Sequence, residues 1–173
     1  LEEYVKTRIS GLTDIQKKVM LYVAIAYHYG QQPVKSQAFA ELLGIPKNRI
    51  VHLSDSLPEG ARELLIEAER EVWRISHDLI AAEVIEQLLI GESADRRIWY
   101  QNLPSVSKEF IEFCRGNDAV ASEEMLEIVR RVYIYRDNKD VLGTEQSAGH
   151  NFSSLMEDIK SREGKLGVMI ALV

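Results

Sequence analysis

The chain has 173 residues, 46% of them hydrophobic and 28% charged, which allows one globular domain or two small ones. Its formal net charge of −6 disfavours a polyanionic partner, so nucleic acid is an unpromising ligand. The longest apolar run, residues 19–27, is about half of what a bilayer requires, and no cationic leader precedes it, which points to a cytoplasmic protein without membrane contact.

Leu1 stands where a start methionine would, and residues 166–173 form an apolar helical run at the other end. Both features suggest a segment of a longer polypeptide, because a severed helix leaves an apolar face uncovered.

Thr13-Asp14-Ile15-Gln16 spells a capping box, and Gly30 supplies a stop, which predicts a helix over 13–30. That helix is apolar nearly all round, with Ile15, Val19, Val23 and Ala26 or Tyr27 as its strongest stripe, so it belongs in the middle of a core. A serine cap at Ser36 and a glycine exit at Gly44 predict a two-turn second helix. Pro46, suited to a first helical position, opens a third helix through Ile50, Val51 and Leu53 that breaks at Leu57-Pro58-Glu59-Gly60. Residues 64–68 and 72–75 flank a polar turn, with Trp73 and Ile75 on one face, and read as a β-hairpin.

Three compact helices followed by a hairpin predict a mainly α fold, a winged helix-turn-helix domain over residues 1–91. Ser76-His77-Asp78-Leu79 then opens a helix that packs back on it, with Ile80, Val84, Ile85, Leu88 and Leu89 at helical spacing before Gly91. Residues 92–173 form a helical region: helices from Ile98-Trp99 to Leu103, from Val106 to Cys114, from Ser122 to about Tyr135 and near Leu166, punctuated by Pro104, Gly116 and Gly164. A polar loop separates the last two, from Asp137 to Asn151.

Catalytic constellations are missing from the sequence. There is no G-x-x-x-x-G-K-[ST] phosphate loop, and the nearest string, Gly164-Lys165-Leu166, lacks the upstream glycine and the following hydroxyl. His28, His52, His77 and His150 show no metal-ligand spacing, so no metal is expected, and no G-x-S-x-G elbow accompanies Ser76-His77. Cys114, in the run Phe110-Ile111-Glu112-Phe113-Cys114, reads as a small buried thiol. The chain is therefore expected not to be an enzyme in isolation.

A DNA-binding winged helix would use Lys47, Asn48, Arg49 and His52 on the third helix. Eight Lys and Arg stand against eleven Asp and Glu between Thr13 and Ile90, and Glu63, Glu67, Glu69 and Glu71 cluster on the wing, so the electrostatics oppose that use. Ser76-His77-Asp78 is the remaining constellation: a helix start offers free N–H groups and a positive dipole end beside an imidazole, a setting that suits an anion. By residue type alone, Ser76 is the N-cap and His77 a surface residue of the first turn.

Trp73-Arg74-Ile75-Ser76-His77-Asp78-Leu79-Ile80 resembles the end of the winged-helix domain in STAND-type P-loop ATPases, where a Met-His-Asp motif precedes the same helix; here Ser76 replaces the methionine. The resemblance covers roughly residues 12–91. Residues 133–137 and 152–159 resemble the lead into tetratricopeptide-type repeats, an arrangement similar to bacterial sirtuin-linked STAND proteins and animal SAM-domain antiviral proteins.

The resemblance implies a non-catalytic regulatory segment of a defence or antiviral signalling ATPase. It would sense ADP or ATP bound to the upstream NTPase domain of the same chain and relay that state to C-terminal repeats, with homo-oligomerisation on activation. It implies that His77 contacts the β-phosphate of ADP, with Ser76 beside it and Asp78 holding the local geometry. Two readings of other classes stay open: a DNA-binding winged-helix regulator, and a nucleotide-independent protein-interaction adaptor.

Overall fold

The computed structural model describes residues 1–91 and 99–137. Among them the chain is mainly helical, with a small three-stranded antiparallel sheet. No helix of the described residues is long and apolar enough to cross a membrane.

Helix α1, Glu2–Ile9, has no counterpart in the sequence reading, since only Val5 and Ile9 of its eight residues are buried. A single turn's worth of apolar residues leaves little periodicity to detect. Helix α2, Asp14–Gly30, forms as the capping box requires: the Thr13 hydroxyl accepts from the Gln16 amide and the Gln16 side chain accepts from the Thr13 amide. Val19, Met20, Val23, Ala24, Ile25 and Ala26 are buried, which makes α2 the central helix of the core. Ile15 departs from the expected stripe and is exposed, two residues after the cap in the first turn. Gly30 does not stop the helix. It is the last helical residue, and Gln31 takes the left-handed cap at φ 53°. The glycine is required for packing instead: a Cβ there would lie 2.4 Å from Ile128 Cγ1.

The next stretch departs most from expectation. Strand β1, Val34–Lys35, precedes a 3-10 turn at Ser36–Phe39, and Ser36 is buried rather than capping a two-turn helix. Gly44, at φ +67°, closes the following turn. The expected third α-helix from Pro46 does not form. Residues 45–52 are irregular, followed by a 3-10 turn at Leu53–Ser56 and a four-residue helix α3, Glu59–Arg62, where the sequence suggested a break. The burial pattern explains this, because Val51 and Leu53 are buried while His52 between them is exposed. That is extended alternation, with a period of two.

The hairpin forms as read. Strand β2, Leu65–Glu69, pairs antiparallel with β3, Val72–Ile75, with Leu65 opposite Ile75 and a bulge near Ala68. β3 also pairs with β1, placing Val34 opposite Trp73, so the sheet order is β1-β3-β2. Helix α4, Asp78–Ile90, follows, packs on α2 and α5, and buries Ala81, Val84, Ile85 and Leu89.

Beyond the undescribed residues 92–98, helix α5, Trp99–Asn117, runs unbroken through Pro104 and Gly116, where the sequence suggested two helices. Helix α6, Ser122–Asp137, follows the expected course. Both share the α2 core: Phe110 and Phe113 meet Tyr22 at ring-centroid distances of 5.7 and 4.8 Å, and Phe113 stacks on Phe39 at 5.0 Å. The loop expected after Asp137, the string at 152–159, the run at 166–173 and His150 lie outside the described residues.

Candidate functional site

The start of α4 is built by two neighbours, β3 and α2. Ser76 lies at the strand exit, its amide donating to Leu64 O at 2.8 Å, and the first helical bond runs from the Ala81 amide to His77 O at 3.0 Å, so the cap falls on His77 and not on Ser76. His77 is the N-cap, with extended backbone at φ −150°, and its Nδ1 accepts from the Leu79 amide at 3.2 Å. This corrects the expectation that Ser76 caps and His77 follows in the first turn. It also uses one of the first-turn donors that an anion would need. With Nδ1 accepting, the neutral imidazole carries its proton on Nε2, and the side chain is exposed.

Asp78 Oδ1 pairs with His28 Nδ1 of α2 at 2.8 Å, with the two side chains 46% and 20% exposed. Arg74 Nη1 donates to Ile75 O at 2.9 Å and to Ser76 O and the Tyr27 hydroxyl at 3.3 Å each, with its guanidinium 5.1 Å from the Tyr27 ring centroid. The fold thus brings Ser76, His77 and Asp78 to one edge, with Asp78 and Arg74 fastening it to α2. His28 and Arg74 were not singled out from the sequence. His28 lies fifty positions from its partner, and nothing local marks a contact of that range.

A second polar cluster lies at the hairpin turn. Glu71 sits at φ +56°, and its carboxylate accepts from Ser36 Oγ at 2.6 Å, Trp73 Nε1 at 3.3 Å and the Leu53 amide at 3.4 Å. His52 Nδ1 lies 2.6 Å from its other oxygen. Burial alone would raise its pKa, but the hydrogen bonds from Ser36, His52, Trp73 and Leu53 outweigh that and hold it at about 2. Serine, histidine and carboxylate meet here, yet the hydroxyl bonds the carboxylate rather than the imidazole, and Ser36 is fully buried. The arrangement lacks the nucleophile-to-base contact that catalysis needs.

Three of the four wing acids are also used internally: Glu71 in this cluster, Glu67, whose Oε1 accepts from the Glu71 amide at 2.8 Å, and Glu63 in an ion pair with Arg8 at 2.8 Å. The acidic face inferred from the sequence is correspondingly smaller. Lys47, Asn48 and Arg49 are exposed on a loop rather than on a helix. Cys114 is buried, and burial pushes its thiol pKa well up. Among the described residues no group of three or more His, Cys, Asp or Glu could hold a metal ion. A cleft of about 580 Å³ opens between α1 and the C-terminal end of α4, lined by Lys6, Leu12, Lys17, Gln87 and Gly91, at the opposite end of α4 from His77.

No protein-family model matches the chain, and no curated protein or solved structure gives a significant match.

Proposed function

We propose that the chain is a non-catalytic segment of a STAND-type signalling ATPase, in which a winged-helix unit reads ADP held by an upstream NTPase domain and relays that state to C-terminal repeats. The observation that carries this reading is His77: an exposed imidazole at the N-cap of α4, directly after a β-hairpin, with Nε2 free to donate outward. The sheet order β1-β3-β2, in which the strand after α2 joins the hairpin, supports the winged-helix layout. The loop in place of a third helix counts against a strict form of it.

The chemistry required is modest. A helix N-terminus contributes roughly 0.3–1 kcal/mol toward an exposed anion, and the imidazole N–H adds a hydrogen bond to phosphate oxygen. Asp78 is spoken for by His28, which fits a role in holding geometry rather than in touching nucleotide. A closed form that binds ADP better by about 3–5 kcal/mol suffices to move most of the population on exchange.

The test is His77→Ala in the full-length parent, read as ADP retention and signalling output. Faster ADP loss with raised basal output is expected, and unchanged retention removes His77 from the mechanism. DNA binding through an inserted recognition helix has no support in this fold, because residues 47–49 are not helical.

A further inference from the structure

Residues 46–50 form a loop whose backbone is fixed while its side chains are presented to solvent. Gln37, on the 3-10 turn, donates through Nε2 to Arg49 O at 3.0 Å and reaches Lys47 O at 3.5 Å, while its Oε1 accepts from the Val51 amide at 3.2 Å. The Arg49 amide closes a turn onto Pro46 O at 2.9 Å. The C-terminal flank is anchored by buried Val51 and Leu53, and by Glu71 accepting from the Leu53 amide. Between these anchors Lys47, Asn48, Arg49 and Ile50 are all exposed.

Ile50, at 69% exposure, is the most exposed large hydrophobic side chain among the described residues. Lys47 and Arg49 form no ion pair among the described residues. A lone exposed isoleucine is ordinary. An isoleucine beside two cations without ion pairs, on a backbone that the Gln37 side chain clamps at three points, is a different object. Its main-chain ordering cost is met in the free protein, which is the condition that favours recognition.

We propose that this loop is a recognition surface for an acidic protein segment bearing an apolar side chain, with Ile50 as the anchor and Lys47 and Arg49 as its charged rim. Interfaces concentrate affinity in a desolvated apolar anchor surrounded by polar contacts, which matches this arrangement. A phosphate backbone offers Ile50 no apolar complement, and major-groove reading by an inserted helix or ribbon is not what the loop supplies.

The experiment is fluorescence anisotropy with the 173-residue chain and a fluorescein-labelled peptide whose central leucine is flanked by two glutamates, one for each cation, compared with labelled duplex DNA. The expected result is saturable peptide binding that weakens with salt, falls at least about tenfold in Ile50→Ser, and is abolished in the double variant Lys47→Glu, Arg49→Glu. Circular dichroism should match wild type, because none of these side chains enters the core. Absence of peptide binding, equal binding by Ile50→Ser, or tighter binding of DNA than of peptide would each overturn the proposal.

Discussion

At the level of single residues, two side chains govern how the chain enters its elements. Thr13→Ala removes one half of a reciprocal cap and is expected to cost ~1 kcal/mol in denaturant unfolding. Glu71 matters more, since one carboxylate fastens the hairpin turn to Ser36, His52 and Leu53. Its pKa is depressed from 4.5 to about 2, so its stabilisation is complete above pH 4.5 and is lost as pH falls toward 2. Glu71→Gln should therefore destabilise the fold by about 2–3 kcal/mol at neutral pH. The variant should also flatten the loss of stability between pH 4.5 and 2, as followed by urea midpoints. A wild-type acid limb that survives the substitution would move the effect to other carboxylates. The capping box could be read from four adjacent letters, whereas Glu71 could not be told from its acidic neighbours, because Leu53, His52 and Ser36 reach it from eighteen, nineteen and thirty-five positions upstream. His77 is legible as a candidate, but it stands one position before the expected first turn, because the first helical bond accepts at its own carbonyl.

Among the elements, the helices with long apolar periodicity and the hairpin were legible, and the middle of the chain was not. Residues 44–57 carry glycine, proline and serines that weaken any helix, and the buried pair Val51 and Leu53 has strand spacing. Side chains distant in sequence, Gln37 and Glu71, supply the backbone partners that a helix would have supplied itself. Pro104 misled in the opposite direction: its place near the start of α5 costs a backbone bond, but the packing of Phe110, Phe113 and Cys114 holds the helix together. Gly30 looked like a terminator and is a contact point. Gly30→Ala should improve local helix propensity yet lower the melting temperature, because overpacking against Ile128 costs about 1–3 kcal/mol. A rise in melting temperature would mean that Ile128 repacks freely.

Across the whole molecule, aromatic side chains join the two stretches that the order of predicted elements divides at Gly91. Tyr22 and Phe39 on one side meet Phe110 and Phe113 on the other, all buried in the same cluster. Burial also pushes the Tyr22 hydroxyl up to about 12, with Glu109, Cys114 and Glu112 adding to the effect. Phe113→Ala is expected to cost about 3–5 kcal/mol and to shift the entire unfolding transition rather than create a second one. Calorimetry showing a separate low-temperature transition would contradict that. Native-state Cys114 should resist thiol reagents until the cluster opens.

The bare Cα of Gly30 is a socket cut to the outline of Ile128. Positions 30 and 128, almost a hundred residues apart, are therefore bound to change together. A descendant chain that gains a methyl at 30 must shed volume at 128, and sequences that keep isoleucine at 128 should hold glycine at 30.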